Sequence, residues 1–173
     1  MSKTKIFLIL SGYQITWLAC IFGEVRFLEP MLGVYTGLIF LIFYFYFNRN
    51  RSKSFKIILL IAVPGYTFDS LMVYFEIYRF ESQFQFGFLP IWMIVLWFAF
   101  ATLFDQILFF FQRHKIIGIF ASSLMGPLTY YLGVPIGVVI INNMQFFFIF
   151  MIIFWFFLMV YYLQIILKFY SEV

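Results

Sequence analysis

Long apolar blocks separated by short polar linkers dominate the chain. The apolar residues do not alternate with polar ones, as in a half-exposed strand, but continue for about twenty residues at a time. Six such blocks occur, at residues 6–22, 31–47, 57–78, 90–111, 116–140 and 144–167. The linkers are too short to hold a separate soluble domain. The pattern therefore predicts an all-α polytopic membrane protein with six transmembrane helices in a single domain, residues 1–173.

The composition supports this interpretation. Hydrophobic residues make up 65% of the chain and charged residues only 10%, whereas a soluble domain is about half apolar and about a quarter charged. Lipid offers no hydrogen-bond partners, so a spanning chain must be helical or a closed barrel, and the missing alternation favours helices. The net charge of +4 does not indicate nucleic-acid binding, because the basic residues lie between the apolar blocks.

The basic residues also predict an orientation, since cytoplasmic loops accumulate Lys and Arg. With six helices, two of the 11 basic residues, Arg26 and Arg79, fall on one side of the membrane. The other nine fall on the opposite side: Lys3, Lys5, Arg49, Arg51, Lys53, Lys56, Arg113, Lys115 and Lys168. We therefore expect both termini to be cytoplasmic.

Ionisable residues within a span are costly and are functional candidates by default. Asp69 lies twelve residues into the third block, about 18 Å from its cytoplasmic end and near the middle of a ~30 Å hydrocarbon core. Glu76 follows on almost the same face, close to the outer boundary. Arg79 is three residues further on, so a structural ion pair is the favoured interpretation of Glu76.

Asp105 lies about 9 Å inside the cytoplasmic end of the fourth block. It either reaches the interface, where Arg113 or Lys115 could pair with it, or serves as a secondary site. Its depth differs from that of Asp69 by roughly 9 Å, so we expect no catalytic acid pair. With one cysteine and one histidine, the sequence has no metal-ligand cluster or serine–histidine pair. We predict no metal and no cofactor, and the sequence favours a protein that is not an enzyme.

The stretch GPLTYYLGVPIG, residues 126–137, contains three glycines and two prolines within an apolar block. Pro127 removes an amide donor, so the fifth helix is predicted to break at Gly126 and Pro127, about 15 Å deep. Gln14 and Thr16 lie at a similar depth. Small residues on one face allow either close helix packing or a ligand cavity, and both remain open. That face consists of Gly118, Ser122, Gly126, Thr129, Gly133 and Gly137.

Four stretches carry a family resemblance: YQITWLAC at 13–20, FDSLMVYF at 68–75, PIWMIVLWFAFATL at 90–103 and GPLTYYLGVPIGV at 126–138. In order and spacing they resemble the motifs of an uncharacterised family of short bacterial inner-membrane proteins, domain of unknown function twenty-eight seventy-eight. The resemblance implies a membrane protein without an established activity and, from genes that neighbour such families, a role in membrane-lipid chemistry. It points to Gln14, Trp17, Asp69, Pro90, Trp92, Trp97, Gly126, Pro127, Tyr130 and Gly133. Leu124-Met125 and Asp105 depart from the family pattern.

Two functions follow as hypotheses. The first is an accessory or lipid-binding component of fatty-acid modification, with membrane lipids and a lipid-modifying enzyme or membrane subunit as partners. The alternative is a carrier of a small solute or ion, in which Asp69 binds a proton or cation at the midplane. The candidate ligand-binding residues are Gln14, Thr16, Trp17, Asp69, Gly126, Pro127, Tyr130 and Gly133, with Glu76 and Asp105 as secondary candidates.

Overall fold

The computed structural model describes residues 3–171, and the side chains of residues 3–108 and 110–164. Lys168, which contributes to the predicted cytoplasmic charge, has its side chain outside this description. The chain forms helices and a few very short strands. In order these are α1 (Lys3–Val25), α2 (Met31–Tyr46), α3 (Arg51–Tyr74), β1 (Tyr78–Phe80), β2 (Gln85–Phe86), β3 (Leu89–Pro90), α4 (Ile91–Gln106), a 3-10 helix (Leu108–Gln112), α5 (Lys115–Tyr131), α6 (Gly133–Ile136), β4 (Val139–Ile141) and α7 (Met144–Ser171).

Four helical segments are long and apolar enough to cross a membrane: Lys3–Val25, Arg51–Tyr74, Lys115–Ile136 and Met144–Gln164. Helices α2 and α4 are apolar but shorter, with 16 residues each, or about 24 Å. The structure is thus compatible with a membrane protein. Each of the six predicted blocks overlaps a helical segment. The third helix begins and ends earlier than its block, the fourth continues as the 3-10 helix, and the fifth block overlaps α5, α6 and part of β4.

Helix α4 lies at the centre of one half of the bundle, where it contacts α1, α2 and α3. Its buried residues include Trp92, Val95, Trp97 and Ala99, which point in several directions around the helix. A helix that is apolar all round belongs in the interior. Helices α5 and α7 pack against each other and form the second half.

The predicted break at Gly126 and Pro127 is wrong. Helix α5 continues through both residues to Tyr131, and the interruption comes at Leu132, between α5 and α6. The chain then leaves helical geometry at Gly137, whose φ of 89° is a left-handed conformation that glycine adopts without steric cost. A proline can remain inside a membrane helix where neighbouring groups cover the freed backbone, and here both Gly126 and Pro127 are buried.

Short strands connect the helices at one end of the bundle. Strand β1 pairs antiparallel with β4, with Tyr78 opposite Ile141, and this pairing joins the end of α3 to the start of α7. Strands β2 and β3 form a hairpin around Gly87, which has a φ of 66°. Three phenylalanines of this segment are exposed, Phe84, Phe86 and Phe88, as expected for a segment at a lipid interface.

Candidate functional site

Asp69 is fully buried, with an exposed fraction of 0%, and both of its carboxylate oxygens accept hydrogen bonds. The Tyr78 hydroxyl donates to Oδ1 over 2.5 Å and the Trp97 indole N–H donates to Oδ2 over 2.6 Å. The Tyr130 hydroxyl lies 2.9 Å from Oδ1 and 2.8 Å from Oδ2. These partners come from β1, α4 and α5, so one carboxylate on α3 connects four elements of the fold.

At the buried Asp69 carboxylate, donor groups of the protein take the place of the water molecules that would hydrogen-bond to an exposed carboxylate. An indole N–H can only donate, and a carboxylate can only accept, so Trp97 and Asp69 are matched. Burying a carboxyl group is costly unless it is hydrogen-bonded. With donors from three side chains, both carboxylate oxygens of Asp69 have hydrogen-bond partners within the protein.

Gly65 allows Trp97 to reach Asp69. Gly65 lies on α3, one helical turn before Asp69, whereas Trp97 lies on α4. A Cβ atom added to Gly65 would lie 2.3 Å from the ring of Trp97, far inside van der Waals contact. Glycine therefore permits the indole to lie against the α3 backbone, which brings its N–H to the carboxylate.

A cavity of about 310 Å³ lies between α1 and α5, over α4. Its lining is mainly aromatic and aliphatic, and includes Tyr13, Trp17, Trp97, Phe100, Tyr130 and Trp155. Trp97 and Tyr130 belong to both the cavity wall and the Asp69 cluster, and thus separate the carboxylate from the cavity. Met125 and Thr129, which also line the cavity, are exposed on α5, so the cavity opens along the side of the bundle.

Gly126 is required for the packing of one wall of this cavity. A Cβ atom added there would lie 2.3 Å from three atoms of the Trp155 indole, so the ring lies directly against the α5 backbone. On its other side the Trp155 ring stacks with Trp97, with centroids 5.9 Å apart and an interplanar angle of 22°. The close packing expected for the small-residue face is therefore observed at Gly126, and its partner is a tryptophan on α7.

The structure brings together only some of the predicted site residues. Trp17, Gly126, Tyr130 and Gly133 line the cavity, and Asp69 lies behind Tyr130. Pro127 is buried in α5 but does not line the cavity. The role of all these predicted site residues in ligand binding remains a prediction.

Gln14 and Thr16 lie away from the cavity. Gln14 is exposed on the surface of α1. Thr16 is fully buried. Its hydroxyl donates to the Gly12 carbonyl over 2.9 Å, and its methyl group would lie 2.9 Å from a Cβ added to Gly37. Thr16 thus faces α2. Position within the block did not distinguish the two residues, because it carries no information about the direction of the side chain: Gln14 is exposed and Thr16 is buried.

The predicted pairing of Glu76 with Arg79 is replaced by another. Glu76 is exposed and has a φ of 55°, because α3 ends at Tyr74 and the chain turns there. Arg79 instead lies 3.4 Å from Glu81 in an exposed ion pair. Glu76 lies outside the Asp69 cluster.

Asp105 forms a separate buried cluster at the opposite end of the bundle. It accepts hydrogen bonds from Tyr44, from Ser54 over 2.5 Å and from Gln106 over 2.7 Å. Asn48 donates over 3.5 Å to the same carboxylate oxygen. The cluster joins the end of α2, the start of α3 and the end of α4, which indicates a structural role at this end.

Sequence reasoning missed Glu24, which was assigned to a loop. Helix α1 extends to Val25, and Glu24 is buried, with 7% of its surface exposed. It accepts hydrogen bonds from Trp92 Nε1 over 2.7 Å, from the Ser82 hydroxyl over 2.9 Å and from the Gln83 amide over 3.2 Å. The available signal was Trp92 at the start of α4, because a buried indole N–H requires an acceptor.

Metal ligands do not cluster in the described part of the chain. Within residues 3–171, no three side chains of His, Cys, Asp or Glu lie close enough to hold a metal ion. Among the buried clusters described above, the Asp69 cluster is the one that shares two residues, Trp97 and Tyr130, with the wall of the aromatic cavity.

Comparison with protein-family models identifies the family of this chain. The family model described as "Protein of unknown function (DUF2878)" matches residues 6–161, which is most of the chain. No curated protein and no solved structure matches.

Proposed function

Because the chain belongs to the DUF2878 family, whose function is unknown, we propose a role from its own geometry: it is an integral membrane protein that binds a lipid between α1 and α5. The observation that carries this proposal is the apolar cavity of about 310 Å³. Pockets for small molecules have volumes of about 300–1,000 Å³ and are lined mainly by apolar and aromatic groups. The cavity lies at the lower end of this range, which suits one apolar chain.

The position of the entrance supports a ligand that arrives from the bilayer. Met125 and Thr129 expose the cavity along the side of α5, on a surface rich in exposed apolar residues such as Ile117, Phe120 and Leu124. In a membrane such a surface faces lipid. An acyl chain can therefore enter the cavity laterally from the bilayer, without exposing its apolar surface to water.

The proposal includes six membrane spans with both termini in the cytoplasm of a bacterial cell. The connections support it, because the end of α1 meets the start of α4 through Glu24 and Trp92. At the opposite end of the bundle, the end of α2 meets the start of α3 and the end of α4 around Asp105. Helix ends that alternate in this way are expected of a chain that crosses a bilayer repeatedly, and the distribution of Lys and Arg supplies the orientation.

Replacing Met125 with tryptophan is expected to weaken lipid binding, because a larger side chain at the entrance would fill the cavity. We expect an affinity loss of roughly tenfold, which corresponds to a typical cost of overpacking. The measurement is saturation binding of tritiated methyl oleate to the purified full-length protein in detergent micelles, by scintillation proximity.

Leu124→Trp is the matched control for Met125→Trp. Leu124 is the preceding residue of α5 and is 57% exposed, against 55% for Met125, but it does not line the cavity. Its replacement is expected to leave the affinity unchanged. Equal affinities for the wild type and both variants would show that the lipid does not occupy this cavity.

The finer role that we propose is that of an accessory component in the modification of membrane fatty acids, which holds a lipid for a partner enzyme. It rests on the family resemblance together with the lipid-sized cavity. The expected result is an altered fatty-acid profile in a deletion strain grown where the gene is expressed. An unchanged fatty-acid profile would contradict the accessory role but not the proposed lipid binding.

The alternative role, an ion or solute carrier with Asp69 as its binding group, is less favoured by the geometry. Tyr78, Trp97 and Tyr130 already occupy both carboxylate oxygens. A bound cation would have to displace these donors. Uptake that changes its pH dependence when Asp69 is replaced by asparagine would favour the carrier instead.

A further inference from the structure

The indole N–H of Trp155 is a buried donor that lacks a partner among the described residues. Trp155 is 7% exposed and lines the cavity between α1 and α5. Most buried polar groups in proteins are hydrogen-bonded, and each exception calls for an explanation. Because the Trp155 side chain lines the cavity, a ligand held there with an acceptor atom would satisfy this donor.

The Trp155 ring is held in place on several sides. It lies against the backbone at Gly126 and stacks on Trp97. The ring of Phe100 meets it edge to face, with centroids 5.5 Å apart and an interplanar angle of 82°. An indole fixed in this way does not turn freely to find an acceptor elsewhere in the protein. The donor is therefore preorganised for whatever occupies the adjacent space.

The charges around the cavity restrict the chemistry of its ligand. None of the described residues that line it carries a formal charge, so a carboxylate or phosphate in the cavity would have no counter-charge there. Two buried acidic side chains contact the wall from behind: Asp69 contacts the lining residues Trp97 and Tyr130, and Glu24 contacts the lining residue Trp92. In their ionised forms these groups would repel an anion in the cavity, whereas a neutral acceptor would not be repelled.

We propose that the cavity binds an uncharged lipid whose carbonyl oxygen accepts a hydrogen bond from Trp155 Nε1. This inference rests on the proposed lipid-binding function and specifies the class of ligand. The apolar part of the lipid packs against the aromatic wall, and the carbonyl oxygen lies beside the indole of α7. Acyl esters and quinones both present such an oxygen.

Three probes that share an eighteen-carbon chain and differ in the head group test the proposal on the wild-type protein. They are methyl stearate, stearate and octadecane, each dibrominated at mid-chain so that it quenches tryptophan fluorescence on binding. Trp17, Trp92 and Trp97 also line the cavity and report its occupancy. We expect the ester to bind about tenfold more tightly than the hydrocarbon, and the carboxylate to bind more weakly than the ester.

Replacing Trp155 with phenylalanine removes the N–H and keeps an aromatic ring. The ester-to-hydrocarbon affinity ratio is expected to fall from about ten to about one, while the affinity for the hydrocarbon changes little. The comparison variant is Trp17→Phe, which removes another indole from the same cavity. Trp17→Phe is expected to change the affinities for the ester and for the hydrocarbon by the same factor, so the ratio of the two affinities stays near ten.

The outcomes separate this inference from the function on which it rests. Saturable quenching by the ester and the hydrocarbon with equal affinity in the wild-type protein would overturn the inference and leave lipid binding intact. Tighter binding of stearate than of its methyl ester would overturn it as well. Absence of saturable quenching by all three probes would overturn the proposed function itself. Competition by a decyl-substituted benzoquinone against the ester then distinguishes a quinone from an acyl ester as the source of the carbonyl.

Discussion

Replacing Asp69 with alanine is expected to destabilise the protein by about 3–5 kcal/mol. The substitution leaves the Tyr78, Trp97 and Tyr130 donors without their acceptor inside the bundle. Each buried donor left unpartnered costs about 1–3 kcal/mol, and part of this is recovered where the two tyrosine hydroxyls bond to each other. The measurement is the free energy of unfolding from SDS titration in detergent micelles.

Asp69→Asn is expected to lose less, about 1–2 kcal/mol. The amide oxygen still accepts from Trp97, and a tyrosine hydroxyl can rotate to accept from the amide nitrogen. Glu29→Ala is the control, because Glu29 is exposed and surface substitutions change stability by only about 0.5 kcal/mol. A loss below about 1 kcal/mol for Asp69→Ala would show that the carboxylate is not a structural centre.

Replacing Gly126 with alanine is expected to destabilise the protein by about 1–3 kcal/mol, which is a typical cost of overpacking. This is the opposite of the usual effect, since alanine in a helix interior is favoured over glycine by about 1 kcal/mol. The reason is the 2.3 Å distance from the added Cβ to the Trp155 ring. That ring cannot move away without disturbing its stack with Trp97. Unfolding in SDS and the near-ultraviolet circular dichroism of the two indoles measure the effect together.

Thr129→Ala provides the comparison for Gly126→Ala. Thr129 lies on the same helix and is exposed. Its hydroxyl donates a hydrogen bond to the carbonyl of Met125, one turn earlier in the same helix. Its substitution by alanine is expected to change the free energy of unfolding by less than about 0.5 kcal/mol. Stabilisation by Gly126→Ala, or an unchanged circular-dichroism signal, would contradict the tight packing of Trp155 on this glycine.

The apolar pattern predicted the helices well because membrane helices depend on local properties. Each needs about twenty apolar residues and internally paired backbone groups, and both can be read from a short window of sequence. The place of Asp69 in the middle of the third block could be read from the sequence for the same reason. Such reasoning located Asp69 in depth and did not identify its three donors.

The errors occurred where the outcome depended on distant residues. Pro127 did not break α5, in which it is buried and which packs against α7. Glu76 did not pair with Arg79, because α3 ends at Tyr74 and the β1–β4 pairing redirects the chain. Glu24 was assigned to a loop, although Trp92, 68 positions further along the chain, donates to its buried carboxylate. In each case the deciding contact lies on another element.

The sequence by itself determined the helical class of this protein, the approximate bounds of its helices, its family and the place of Asp69 within an apolar block. These properties depend on hydrophobicity and on motifs that are continuous in the chain. The tertiary structure decided that Asp69 is satisfied by Tyr78, Trp97 and Tyr130, that Gly126 accommodates Trp155, and that a cavity lies between α1 and α5. The physical reason is that side-chain direction and close packing arise from contacts between helices, which spacing along one helix does not specify.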